Sequence, residues 1–176
     1  MKLTSVLFFV LSALLTACAT LPRTDAHASL EQAPETTRGW RMEEGQMGKH
    51  LYIPAPGKVT VLDFWATHCK PCIAAMPGLE SIWQRVDQDK VVVIGVSIDE
   101  DDALARKTMK EKFPVQVTFP MVYDGKAAKL QGIYKVGGAV PSTFVIDKHG
   151  RVRFYFDGSE GDMQRLEQAV AGLMNE

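Results

Sequence analysis

The run Val59 to Ala66 (VTVLDFWA), separated by two residues from the tetrad Cys69-Lys70-Pro71-Cys72, does more than any other feature to limit what this chain can fold into. A segment that is β-branched or apolar at nearly every position reads as a strand covered on both faces. Pro71 can open a helix, because the first helical amides have no intrahelical acceptor and a missing N–H costs nothing there. After it, Ile73, Met76, Leu79, Ile82, Trp83 and Val86 recur at spacings of three and four, which predicts one buried helix face. One strand therefore delivers two cysteines to a helix N-terminus. Pro77 is expected to kink that helix in its second turn, since it donates no hydrogen bond.

The rest of the chain alternates short strand-like runs with helix-like stretches. Val91 to Ile98 (VVVIGVSI) reads as a second buried strand, Asp101 to Lys112 as a helix opened by acids, and Pro120 to Tyr123 as a short strand. Lys126 to Tyr134 reads as a brief helix. Ser142 to Asp147 and Val152 to Phe156 are joined by Lys148-His149-Gly150-Arg151, too short for anything but an antiparallel hairpin. A last helix is expected from about Glu160 to Met174, with Met163, Leu166, Val170 and Leu173 on its apolar face. The pattern is α/β around a central sheet.

The first residues do not fit that pattern. Lys2 and the apolar run Leu3 to Leu15, followed by small residues and Pro22, read as a secretion signal. The run is shorter than the roughly 20 apolar residues that a spanning helix needs. Leu15-Thr16-Ala17-Cys18 resembles a bacterial lipobox, in which the cysteine is lipidated and becomes the first residue. The other reading is cleavage near Ala17 or Ala19, which leaves a free thiol. By the lipobox resemblance, Ala19 and Thr20 lack the Asp of inner-membrane retention, which slightly favours the outer membrane if the host has two. Residues 18–38, rich in Ala, Thr, Pro, Glu and Gln, are expected to be a tether between a leader at 1–17 and a domain at 39–176. With 20 Lys and Arg against 21 Asp and Glu, a net charge of -1 leaves no basic face for nucleic acid.

A C-x-x-C can be half of a zinc site, a haem attachment or a redox dithiol. Zinc would need a second pair of ligands, but the one other cysteine is Cys18, and His27, His50, His68 and His149 are scattered. Haem attachment would need His directly after Cys72, where Ile73 stands. The remaining reading is redox, with neither metal nor cofactor. A sulfur at a helix N-terminus faces unsatisfied amides and the positive end of the helix dipole, which stabilises its thiolate, and Lys70 adds a nearby positive charge. Cys69 is expected to attack and Cys72 to resolve.

Asp63-Phe64-Trp65-Ala66-Thr67-His68-Cys69-Lys70-Pro71-Cys72 resembles the active-site segment of thioredoxins. Pro77 lies where thioredoxins kink the active-site helix, and Val140-Pro141-Ser142-Thr143-Phe144 is similar to the stretch that carries their cis-proline. The export signal and the longer segment Val91 to Tyr134 look like the membrane-anchored TlpA/ResA branch. The resemblance covers about residues 45 to 175 and implies a thioredoxin-like fold: a central mixed sheet flanked by helices, with that branch's additional αβ segment. It implies that Pro141 is cis, that the Val140 backbone pairs with an extended substrate, and that Trp65, His68, Lys70 and Pro71 belong to the substrate-binding surface.

Asp63 occupies the position of thioredoxin's buried aspartate, whereas TlpA/ResA proteins commonly have Asn there and an acid where this chain has Ala75. Asp63 is thus expected to serve as general base for Cys72. His68 stands in place of a usual Trp, and Tyr134 to Pro141 is one residue longer than the usual spacing, with Gly137-Gly138-Ala139 filling it. The resemblance implies a reductant of disulfides in exported proteins, of the cytochrome c maturation or metal-site assembly type. Its substrates would be apo-cytochrome c or a copper-site protein. Its electron donor would be a membrane protein of the CcdA/DsbD type, and its place the periplasmic face of a membrane, held through Cys18. The competing readings are a copper-binding chaperone using the same cysteines and a peroxiredoxin-like thiol peroxidase.

Overall fold

The computed structural model describes residues 37–41 and 50–176. The leader, Cys18 and nearly all of the expected tether lie outside them. Strands β1 (Thr37–Arg41), β2 (His50–Ile53), β3 (Val59–Trp65), β4 (Val91–Ser97), β5 (Met121–Tyr123), β6 (Ser142–Ile146) and β7 (Val152–Phe156) form one sheet in the order β2-β1-β5-β4-β3-β6-β7. Its centre is parallel (β3 with β4, β4 with β5), and antiparallel pairs complete both sides, so the sheet is mixed.

Among the described residues the α-helices are α1 (Lys70–Arg85), α2 (Asp102–Glu111), α3 (Lys129–Ile133) and α4 (Asp162–Met174). Strand alternation decides what they cover. Val59, Val61, Val91 and Val93 face α1 and α4, packing with Met76, Leu79, Ile82, Leu166, Val170 and Leu173. Leu62, Phe64, Ile94 and Val96 face the other way, onto Leu130 and Tyr134. Each large buried side chain in these layers contributes roughly 1.5–3 kcal/mol. Asp63 has the same parity as Val59, Val61 and Trp65, which turns a carboxyl toward the α1 and α4 layer.

Three expectations need correction. The boundary after residue 38 falls inside β1, whose pairing with β2 and β5 is made by backbone groups that composition does not register. The brief helix expected over 126–134 is instead a 3-10 turn, Gly125–Ala127, and then α3, separated by Ala128 at φ 44°. The break has a local cause: both oxygens of Asp124 reach forward, to the amides of Leu130 (2.8 Å) and Gln131 (2.9 Å), and cap a new helical start. The third concerns Trp65 and is described with the site. Helix α1 runs unbroken through Pro77.

Candidate active site

Register places the parts of the site. On β3, Phe64 pairs with Ser142 and Asp63 with Thr143 of the antiparallel β6. The end of β3, which leads to the cysteines, therefore lies beside the start of β6, which Pro141 immediately precedes. The Val140–Pro141 peptide bond is cis, and so is Ile53–Pro54, which has no signal in the sequence beyond the proline itself.

Cys69 is the N-cap of α1, with extended backbone (φ -85°, ψ 92°), and Pro71 sits in the first turn. The Cys72 amide donates to Cys69 Sγ at 3.2 Å, and the two cysteines are joined in a disulfide with Cα atoms 5.3 Å apart. Cys69 is 6% exposed and Cys72 fully buried. The asymmetry suits Cys69 to meet a partner first: of the two it is the one that solvent reaches at all, and it stands at a helix N-terminus that favours negative charge. His68, Lys70 and Pro71 are exposed beside it, and Val140 and Pro141 are half-buried.

Trp65 departs from expectation. It is completely buried and packs edge-on against Phe113, with ring centroids 5.1 Å apart. It belongs to the core beneath the cysteines and offers no surface to a substrate, because its place on β3 turns it into the α1 layer.

Asp63 is 2% exposed. Thr143 Oγ1 donates to its Oδ1 at 2.6 Å, while Oδ2 is buried with no hydrogen-bond partner among the described residues. Burial raises its carboxyl from 3.8 to about 7, and the Thr143 hydrogen bond pulls the other way without offsetting it. Asp63, Pro71, Ala75, Pro141, Gly158 and Met163 are among the residues that line a groove of about 370 Å³ between α1, the cis-proline and the turn leading to α4. Small side chains at Ala74, Ala75 and Gly78 leave this space open.

Sequence reasoning did not single out three other features. Ser142 Oγ donates to the Ala139 carbonyl (2.8 Å) and fixes the approach to Pro141. Gly158, at φ +84°, lets the turn after β7 lie directly on the Pro141 ring. Asp99, after β4, accepts hydrogen bonds from Thr67, two residues before Cys69. A lone Gly or Asp carries no signal of partners so distant in sequence, and a lone Ser does not show which nearby carbonyl it will bond. Among the described residues, no group of three His, Cys, Asp or Glu is placed to hold a metal ion, and no helix is long and apolar enough to cross a membrane.

A family model described as AhpC/TSA matches residues 32–155. The thiol-disulfide oxidoreductase ResA of Geobacillus kaustophilus is 35% identical over 124 residues, covering 69% of this chain and 68% of that protein. ResA of Bacillus anthracis is 36% identical over 96 residues, 54% of this chain and 53% of that one. The chain thus spans about half the length of several of the ResA proteins it matches. The crystal structure of StoA from Bacillus subtilis superposes with a TM-score of 0.64 at 22% identity, covering 81% of this chain and 98% of that one. That likeness establishes the thioredoxin-like fold.

Proposed function

The chain belongs to the AhpC/TSA family, and from that premise we propose that it is a thiol-disulfide oxidoreductase whose Cys69–Cys72 pair cycles between dithiol and disulfide. The observation that carries this reading is the cysteine pair itself: Cys69 caps α1, bonded to Cys72, and Pro71 between them lines a groove together with Pro141 and Asp63.

In the reducing direction, the Cys69 thiolate attacks one sulfur of a substrate disulfide, and the other substrate sulfur leaves as a thiolate and takes up a proton. Asp63 accepts the Cys72 thiol proton, directly or through water in the groove. The Cys72 thiolate then attacks Cys69 Sγ, closing the internal disulfide and expelling the second substrate thiol. Two electrons pass from the dithiol to the substrate; the sulfur expelled last leaves as a thiolate and takes the Cys72 proton back from Asp63, and the first draws its proton from solvent, to which Cys69 had released its own. A carboxyl with a pKa of about 7 suits this role, since it is a base strong enough to take a thiol proton and still returns it near neutral pH.

Reduction is favoured by the ResA resemblance, and the substrate class is an exported protein with a disulfide to be opened before haem or copper is inserted, apo-cytochrome c or a copper-site protein. A dithiol kept reduced outside the cytoplasm needs a membrane electron donor, here of the CcdA/DsbD type. The apolar leader and the lipobox-like Cys18 support an exported protein held by lipid at the periplasmic face, with the residues after Cys18 favouring the outer membrane. His68, Lys70 and Pro71 form the exposed recognition rim, and the Val140 backbone beside cis-Pro141 receives the extended substrate.

The test is a trap. In Cys72→Ser the second attack cannot occur, so Cys69 stays joined to its partner and diagonal gels with mass spectrometry identify it. An exported protein linked through its own cysteine supports the reading and names the substrate. Failure of the trapped variant to form any Cys69-linked disulfide, together with failure of the wild-type dithiol to reduce insulin, overturns it. Faster turnover of peroxide than of protein disulfides would favour a thiol peroxidase instead.

A further inference from the structure

The turn that carries the nucleophile is held from outside its own element. Thr67 follows β3 and precedes His68 and Cys69. Its amide donates to both oxygens of Asp99, at 3.1 Å each, and its hydroxyl donates to Asp99 Oδ1 at 2.8 Å. Asp99 is braced in turn: Ser97 Oγ, at the end of β4, donates to Asp99 Oδ2 at 2.9 Å and accepts from the Asp99 amide at 3.3 Å. Below the clamp, the Ile98 amide donates to the Trp65 carbonyl at 3.0 Å, and on its far side the Cys69 amide donates to the Ala66 carbonyl at 3.0 Å. The side chain that fastens the turn 66–69 across to the end of β4 is therefore one carboxylate, 32 residues away in sequence from the threonine it grips.

We infer that Asp99 is a positioning residue for the redox reaction, its carboxylate gripping Thr67 so that Cys69 is held in the N-cap position of α1. The proposal rests on the function argued above and adds a residue that acts through another. Cys69 Sγ accepts from the Cys72 amide only while its backbone keeps the extended N-cap conformation. That conformation is set by where the chain leaves β3, and Thr67 is the fixed point between the two. Loosening Thr67 lets the sulfur wander from the amides that stabilise its thiolate.

This has a signature that bare electrostatics does not share. Asp99 carries negative charge near the nucleophile, so removing that charge with no other change would favour the thiolate and lower the Cys69 titration midpoint. Loss of positioning moves it the opposite way. The sign therefore separates the two effects, and a purely structural role would lower the melting temperature without moving the midpoint.

The experiment is the pH dependence of Cys69 alkylation by iodoacetamide in the reduced full chain, read on the Cys69 peptide by mass spectrometry, with thermal unfolding of each variant alongside. Asp99→Ala is expected to raise the Cys69 midpoint and slow alkylation at pH 7 by roughly tenfold, the scale of a small misplacement of a reacting group. Asp99→Asn, which keeps one oxygen for Thr67, recovers most of the rate. Should Asp99→Ala unfold, Thr67→Val, which lacks the hydroxyl donor, takes its place and Thr67→Ser is the rescue. A midpoint that falls or stays put in Asp99→Ala, or in the folded Thr67→Val where Asp99→Ala is lost, overturns the proposal. Alkylation does not require the proposed function. A wild type inactive on protein disulfides would sink that reading and leave this result to stand alone.

Discussion

Thr143 Oγ1 donates a 2.6 Å hydrogen bond to Asp63 Oδ1 across the β3–β6 pair, and it is the one hydrogen bond from a described residue to a carboxyl that is otherwise buried. A carboxyl in that setting pays heavily for ionisation, because one hydrogen bond replaces the several that water would give. Its pKa of about 7, against 3.8 when exposed, states that cost.

The consequence for stability has a definite sign. Below pH 3.8 Asp63 is neutral in both folded and unfolded chains. Between 3.8 and about 7 the unfolded chain loses the proton and the folded chain keeps it, so the folded state loses stability as pH rises through that window. At about 1.4 kcal/mol per pH unit, the full gap is worth roughly 4 kcal/mol. Asp63→Asn has no charge to bury and can still accept from Thr143. It is expected to stabilise the oxidised protein by roughly 2–4 kcal/mol at pH 8 and hardly at all near pH 4. Urea unfolding at the two pH values measures this, and an equal gain at both would show that ionisation of Asp63 is not the cause.

Thr143 itself makes the second prediction. Thr143→Val keeps the side-chain shape and removes the donor, leaving both Asp63 oxygens without the hydrogen bond that now favours ionisation. The carboxyl moves further up. Since the base must be ionised to take the Cys72 proton, the acidic limb of the exchange rate should move to higher pH by about one unit, the worth of one hydrogen bond to a charged group. A pH–rate profile with a protein disulfide as substrate reads the shift. An unmoved limb would mean that Asp63 does not set it.

The strand-to-helix junction was legible because its signal is local: apolar residues at strand spacing, a cysteine tetrad, and an apolar face recurring at helical spacing from Ile73 to Val86. The β6–β7 hairpin was legible from the length of its turn. What escaped were relationships between segments. β1 and β2 contribute backbone pairing at one side of the sheet, and their short sequences carry little periodicity. Trp65 is assigned to the substrate surface by the thioredoxin resemblance alone, whereas the apolar run around it already reads as a covered strand, and its contact with Phe113 puts it in the core. Asp99 and Thr143 are polar residues whose meaning lies entirely in a partner 32 or 80 residues away.

Gly158 offers the most direct test of whether the wall behind the cis-proline matters to substrates. Its φ of +84° already disfavours a side chain, and a Cβ there would lie 2.3 Å from Pro141 Cγ, a ring atom that cannot swing aside as a flexible side-chain end would. Gly57, at φ +72° with nothing within 4 Å of its Cβ position, supplies the control for backbone strain alone. Gly57→Ala should cost about 1 kcal/mol, and Gly158→Ala on the order of 1–3 kcal/mol more, because the turn or the proline must shift. If the shift moves Pro141, exchange with protein disulfides slows severalfold in Gly158→Ala. Alkylation of Cys69 by a small reagent stays at the wild-type rate, because the turn before α1 is untouched. Equal slowing of both reactions would place the damage at the nucleophile, and equal costs for the two glycine variants would mean that the turn yields without disturbing Pro141.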